Sequence, residues 1–231
     1  MTDKPLLVVS TGAGISAESG ISTFRDADGL WENYNVMDVA SADGFARNPA
    51  LIHEFYNQRR HALADVAPND AHLALKRLED IFDVYVITQN VDDLHERAGS
   101  SNITHLHGEL TKVRALDDES LVYKLDYDAE TTPEARIDGH RVRPHIVFFQ
   151  EAVPMFEKAT EIAARADIFV IIGTSLQVYP AAALLNYVRR GTPVYYIDPR
   201  PGHVPANVTV IRDTATAGMR ELERILREKY A

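Results

Sequence analysis

Apolar residues in this chain fall in short unbroken runs, at 6–9, 84–87, 146–149, 168–172, 194–197 and 208–211. The runs do not alternate with polar residues and are rich in Val and Ile, as strands covered on both faces of a parallel sheet are. Between them the spacing turns helical. Asn48-Pro49 reads as an N-cap followed by proline in the first helical position. Asn69 or Asp70 caps a stretch to Glu79. Phe156, Ala159, Ile162, Ala163 and Ala166 keep helical spacing, as do Leu184, Leu185 and Val188 before Gly191. Met219, Leu222, Ile225 and Leu226 predict a closing amphipathic helix. Strand–helix alternation of this kind predicts an α/β fold, a doubly wound parallel sheet. Two regions break the rhythm: 30–67 reads as mainly helical, and 112–143 reads as irregular and acidic. Both are expected to form a smaller lobe inserted over the sheet edge. The large domain is then about 1–29, 68–111 and 144–231.

Composition narrows the picture. The chain has 231 residues, 45% of them hydrophobic, enough for one substantial core. Its net charge of −10 repels a nucleic-acid backbone and favours basic peptides. There is no cysteine, so disulfides, thiolate nucleophiles and thiolate-bound zinc are impossible. No apolar segment approaches the roughly 20 residues of a membrane helix, and the N-terminus lacks the longer apolar stretch of a signal peptide. The expected location is the cytoplasm, with neither nucleic acid nor membrane as partner and the oligomeric state open.

Three segments carry candidate chemistry. The first strand leads into Ser10-Thr11-Gly12-Ala13-Gly14-Ile15-Ser16, where glycines let the backbone approach a pyrophosphate at a helix N-terminus. Ala17 holds the third glycine position of the dinucleotide fingerprint, so a plain strand-to-helix turn is the competing reading. Phe24 and Arg25 follow, placed to cover a nucleotide and pair with phosphate. The second segment, Thr88-Gln89-Asn90-Val91-Asp92-Asp93-Leu94-His95, clusters amide and carboxylate groups at the carboxyl end of a strand, where ligands bind in such sheets. The third, Ile103-Thr104-His105-Leu106-His107-Gly108-Glu109, puts two histidines on one strand face. An imidazole there can take a proton near neutral pH; a metal pair of His105 and His107 lacks an evident third ligand.

Together with Gly20-Ile21-Ser22-Thr23-Phe24-Arg25, Arg143-Pro144-His145-Ile146-Val147-Phe148-Phe149 and Gly173-Thr174-Ser175-Leu176-Gln177-Val178-Tyr179-Pro180, these segments resemble the sirtuin motifs, in the family's order and across nearly the whole chain. The resemblance implies a Rossmann-like domain that binds NAD, a small lobe, and an acyl-lysine tunnel between them. It implies that Gly12, Ala13, Gly14, Ser16, Phe24 and Arg25 surround the phosphates and the nicotinamide ribose. Gln89, Asn90 and Asp92 would hold that ribose and the carboxamide. Gly173, Thr174, Ser175 and Asp198 would contact the adenosine half. His107 would be the general base, with Asn90 and Asp92 as its catalytic companions. The implied reaction consumes NAD and yields nicotinamide, free lysine and O-acyl-ADP-ribose. NAD-dependent mono-ADP-ribosylation of protein is the alternative activity.

The chain departs from the family at several points. The positions of the zinc cysteines are Ala115, Asp118, Ala135 and Asp138, so no zinc is expected and the metal set is empty. Gln150 stands where glycine is usual, in the segment holding Ile146 and Phe148 that is expected to pair with substrate backbone. Asp198 stands where asparagine is common. Ile52, Phe55, Tyr56, Arg59 and Leu63 share one helical face, so Arg59 occupies a slot where an apolar residue belongs. Tyr56-Asn57-Gln58-Arg59 matches the Tyr-x-x-Arg pair of sirtuins that remove succinyl, malonyl or glutaryl groups, and the expectation is that Tyr56 and Arg59 bind an acyl carboxylate, with acetyl-lysine also accepted.

Overall fold

The computed structural model describes residues 4–22, 30–31 and 34–231, with 30–31 described by backbone alone. Among these residues the chain runs β1 (Leu6–Thr11), β2 (Leu30–Trp31), β3 (Tyr34–Asn35), α1 (Val36–Val39), α2 (Ala42–Arg47), α3 (Pro49–Ala62), α4 (Asp70–Leu78), β4 (Asp83–Thr88), α5 (Leu94–Arg97), β5 (Ile103–His105), β6 (Gly108–Ala115), β7 (Val122–Lys124), β8 (Arg136–Ile137), β9 (His140–Ile146), α6 (Phe156–Arg165), β10 (Ile168–Ile172), β11 (Val194–Ile197), β12 (Val208–Ile211) and α7 (Ala215–Tyr230). Six strands form one parallel sheet in the order β12-β11-β10-β1-β4-β5. From central β1 the chain builds outward to β4 and β5 on one side and returns to β10, β11 and β12 on the other. The order therefore reverses between β1 and β10, and a crevice opens beyond their carboxyl ends. Leu7, Val9, Val86 and Ile172 pack with residues of α4 and α7 on one face. Val8, Ile87, Phe169 and Ile171 pack with α6 and the 3-10 stretch Ala181–Tyr187 on the other. Burial on both faces is why these strands read as continuous apolar runs.

The helix starts follow local chemistry. Asn48 accepts from Leu51 N with Pro49 in the first turn of α3, and Asn69 caps α4 by accepting from Ala71 N. Residues 184–188, expected to be helical, lie at the end of the 3-10 stretch and beyond it. Among the described residues no helix is long and apolar enough to cross a membrane.

Two expectations are corrected. The run 146–149 is not a strand of the parallel sheet: Ile146 ends β9, which pairs antiparallel with β6, and the chain then leaves the ladder. Phe148 N donates to the Glu151 carboxylate at 2.8 Å, while Phe149 makes an isolated bridge with Ser41. Residues 112–143 are irregular only in part: 112–115, 122–124, 136–137 and 140–143 belong to an antiparallel sheet in the order β7-β6-β9-β8, and the rest connect its strands. Charged residues hide its pattern. Arg114 and Arg143 are 6% and 8% exposed and share the Glu151 carboxylate, which makes them tolerable inside.

The four family zinc positions serve other ends. Ala115 N bonds Leu121 O and Val142 N bonds Ala135 O, so both alanines sit in the backbone ladder. Asp118 accepts from the amide and hydroxyl of Ser120. Asp138 and Gly139, both at positive φ, make the two-residue turn joining β8 to β9. Two methyl groups and two turn carboxylates do not fit a tetrahedral zinc. The lobe is tied to α3 instead. Asn57 donates to Thr131 O at 2.9 Å and accepts from Thr131 N at 3.1 Å, and His53 Nδ1 meets the Thr131 hydroxyl at 2.9 Å. Arg60, 1% exposed, donates to Asn57 Oδ1 and to Ala129 O. Asn57→Ala strands the Thr131 backbone groups and one donor of Arg60 in a buried place. The expected cost is about 2–3 kcal/mol in chemical denaturation, against about 0.5 kcal/mol for an exposed control such as Gln58→Ala.

Candidate active site

The crevice is built where two strand-end loops touch. Gly12 N donates to Ile172 O at 3.0 Å and Gly14 N to Gly173 O at 2.8 Å. A Cβ on Gly14 would lie 2.5 Å from Gly173 Cα, and one on Gly12 would lie 2.8 Å from Gly173 O. The glycines thus first allow these backbones to close on each other, which the pyrophosphate reading of the sequence had not included. The loop continues not as a long helix but as two 3-10 turns, Ala13–Ile15 and Ala17–Ser19, ended by Gly20 at φ +95°. Phe24 and Arg25 lie outside the described residues.

The polar loop after β4 faces this cradle. Gln89 N bonds Thr11 O at 2.9 Å, and its side chain reaches Thr174 Oγ1 at 3.3 Å. Ser16 Oγ accepts from Asn90 Nδ2 at 3.1 Å and donates to Asp92 Oδ2 at 3.0 Å. Asn90 and Asp92 are buried, at 7% and 5% exposure. Burial pushes the Asp92 carboxyl up, against the Leu94 amide and Ser16 hydroxyl that favour its anion. Behind the loop stand His72 and His95, whose parts in this network the sequence did not disclose. Asn69 N donates to His72 Nδ1, so the Nε2 proton of its neutral ring points at Ser16 Oγ, 3.5 Å away. Burial depresses His72 to about 4 and His95 well below its ordinary value, so both rings are neutral. Across the crevice Tyr196 donates to Thr174 O, and Asp198, 3% exposed, accepts from Arg200 N. Ser175 and Arg200 line an open cleft with Gln177, Pro201 and Gly202.

The two histidines reach successive carbonyls of the polar loop. His107 Nδ1 lies 3.1 Å from Gln89 O, and His105 Nδ1 lies 2.9 Å from Asn90 O. A carbonyl only accepts, so each Nδ1 carries a proton. In His107 this leaves the lone pair on Nε2. Burial lowers its pKa despite the Gln89 carbonyl, so the ring is a neutral base at physiological pH. His105 differs. Burial pulls it down, but the Glu96 carboxylate at 2.8 Å, with Glu109 and the Asn90 carbonyl, outweighs that and raises it. Ligand atoms of Glu96, His105 and Glu109 lie within 4.8 Å of one another. Both ring nitrogens of His105 are engaged, and Lys112 sits 2.6 Å from Glu109, so the group is an ion network. After His107 the backbone turns at Gly108, φ +86°, where a Cβ would fall 1.9 Å from His145 O. Only glycine can follow this histidine in the present arrangement.

On the lobe side, Arg59 lines a cavity of about 100 Å³ together with Gly20, Ile21, Val91, Asp92 and Leu110. Its guanidinium lies 4.8 Å from the Phe55 ring centroid. Tyr56, one turn earlier, is 1% exposed between Phe55 and Phe148 and does not line that cavity. Burial pushes its hydroxyl well above the ordinary tyrosine range, against the opposing charges of Arg143 and Arg59, so it stays a donor. The side chains of Ile146 and Phe148 are buried in the same cluster, and Val147 N bonds His107 O.

The profile described as Sir2 family matches residues 12–180. Over 230 residues the chain is 55% identical to a protein of Bacteroides thetaiotaomicron named NAD-dependent protein deacylase, covering 95% of this chain and 97% of that one. A Helicobacter pylori protein of the same name is 52% identical over 218 residues, covering 94% and 95%. Among solved structures, a complex of a Sir2 homologue with NAD superposes with a TM-score of 0.88 at 37% identity, covering 99% of this chain and 92% of that one. A mutant Sir2 homologue in complex with 2′-O-acetyl-ADP-ribose gives a TM-score of 0.88 at 36% identity, covering 99% and 94%.

Proposed function

The chain belongs to the Sir2 family, and on that footing we propose an NAD-dependent protein-lysine deacylase that removes succinyl and malonyl groups as well as acetyl. NAD, consumed as co-substrate, supplies the ADP-ribosyl acceptor for the acyl group and nicotinamide as leaving group. The donor set suits it: a glycine cradle without room for a Cβ, then the amides and carboxylate of Gln89, Asn90 and Asp92, with Ser175 and Asp198 on the far side. Ser16 holds Asn90 and Asp92 to each other, so the two side chains act from fixed positions. His107 takes the proton at Nε2, and its Nδ1–H bond to Gln89 O keeps the ring in the tautomer that can do so. Ile146 and Phe148 are buried in the core, and the amides of Val147, Phe148 and Phe149 bond His107 O, the Glu151 carboxylate and Ala40 O, so the segment is a fixed wall beside the base.

The preference for acidic acyl groups rests on one observation: Arg59, half-buried on an otherwise apolar helix face, lines the same cavity as Asp92 and Val91 of the polar loop. A carboxylate at the end of a lysine-borne acyl chain is a partner of matching charge and geometry. Tyr56, neutral and one turn behind, packs between Phe55 and Phe148 outside that cavity and supports the helix face that carries Arg59.

The direct test incubates succinyl-, malonyl- and acetyl-lysine peptides with NAD and resolves products by mass. Nicotinamide, free lysine peptide and O-acyl-ADP-ribose are expected in equal amounts. An ADP-ribosylated protein or peptide would replace this reading with the transferase, and absorbance of NADH would exclude both.

A further inference from the structure

The Gln89–Asp92 loop must present three side chains to the crevice, yet it has no regular structure to hold it. Its carbonyls are held instead by the end of β5 and the residues just after it. Gln89 O takes the His107 ring and Asn90 O takes the His105 ring. The first bond involves the proposed base. The second involves a histidine that the chemistry above does not use.

His105 is not a plain donor. Its side chain is 9% exposed, and its Nε2 lies 2.8 Å from a carboxylate oxygen of Glu96 on α5. The chain Glu96–His105–Asn90 therefore closes the stretch from the end of β4 through α5 and back to β5 with a charge-assisted link at each end. Such bonds are shorter and roughly twice as strong as neutral ones. Asn90 is the residue so gripped: its amide N donates to Thr88 Oγ1 at 3.0 Å, its side chain to Ser16 Oγ, and its carbonyl receives His105. With three anchors its side chain has one direction, toward Ser16 and Asp92.

We propose that Glu96 and His105 form a positioning dyad that fixes Asn90, and through it the nucleotide-facing edge of the polar loop, without touching substrate. This deepens the reading of the crevice as a dinucleotide site and rests on it.

Replacement of His105 separates the bond to Asn90 from the rest of the ring. Asparagine reproduces a donor near the Nδ1 position and gives up Glu96. Glutamine reaches toward Glu96 and gives up Asn90, and leucine gives up both. NAD affinity by calorimetry and kcat and KM for acyl peptide are the readouts, with thermal melts as the check on folding. His105→Leu and His105→Gln are expected to lose roughly tenfold to a hundredfold in NAD affinity and in kcat, with peptide KM little changed. His105→Asn recovers most of that loss, and Glu96→Gln falls between, since it keeps the geometry and drops the charge. Wild-type NAD affinity retained in His105→Leu would overturn the dyad, as would His105→Asn behaving as badly as His105→Leu. Absence of acyl transfer by the wild type, with NAD affinity responding as described, would count against the deacylase reading and leave the dyad standing.

Discussion

Replacement of His107 by asparagine lowers kcat for every acyl peptide by about three orders of magnitude, the span that one well-placed general base commonly supplies. Binding of NAD changes little by comparison. The reason lies in the ring's two nitrogens. Nδ1–H is spent on Gln89 O, so Nε2 alone carries the basic lone pair, and asparagine offers an amide with none. The pH profile adds a second handle. Burial holds the His107 pKa below its ordinary 6.5, so the neutral, active form persists through neutrality and is lost only as pH falls through that depressed value. The acid limb of kcat/KM therefore lies below pH 6.5 in the wild type and vanishes from the residual activity of the variant. A limb that survives His107→Asn unchanged, or one centred above 6.5, assigns the titration to another group and removes His107 as the base.

The parallel sheet was open to reading because its strands are apolar on both faces, which left runs such as 168–172 with nothing polar in them. The helix starts at Asn48 and Asn69 were equally legible, since capping is a local affair of one side chain and the next turn. The candidate site was legible as three separate polar segments. Their joining was not: that Ser16 lies between Asn90 and Asp92, or that Gly14 has Gly173 against its face, depends on contacts between residues about 75 or more positions apart. The antiparallel lobe was misread for a related reason. Arg114 and Arg143 look like solvated positions until Glu151, from beyond β9, supplies the charge that lets them be buried. The polar face of α3 misleads in the same way. His53, Asn57 and Arg60 repeat at helical spacing, and despite their polarity they are buried against Thr131 and Ala129. In each case a long-range partner reverses what the residue's own polarity suggests.

Arg59→Met separates the two classes of acyl substrate. In the wild type Arg59 is half-buried at the wall of the cavity that Asp92 also lines, with its guanidinium above the Phe55 ring. An acyl carboxylate bound there loses water and is compensated by the fork of N–H donors. Removing the fork leaves that carboxylate desolvated without a charged partner, a change of about 3 kcal/mol or more. Desuccinylation and demalonylation should therefore lose on the order of 10²-fold or more in kcat/KM. Acetyl-lysine carries no distal charge, so deacetylation should stay within about threefold of wild type, with methionine filling the apolar stem's volume against Phe55. Arg59→Lys tests the geometry apart from the charge: an ammonium keeps the attraction and loses the bidentate fork, so it should recover only part of the desuccinylation. A fall in both activities by the same factor would mean that Arg59 supports the cavity wall rather than the substrate, and the acidic-acyl assignment would be withdrawn while the deacylase itself remained.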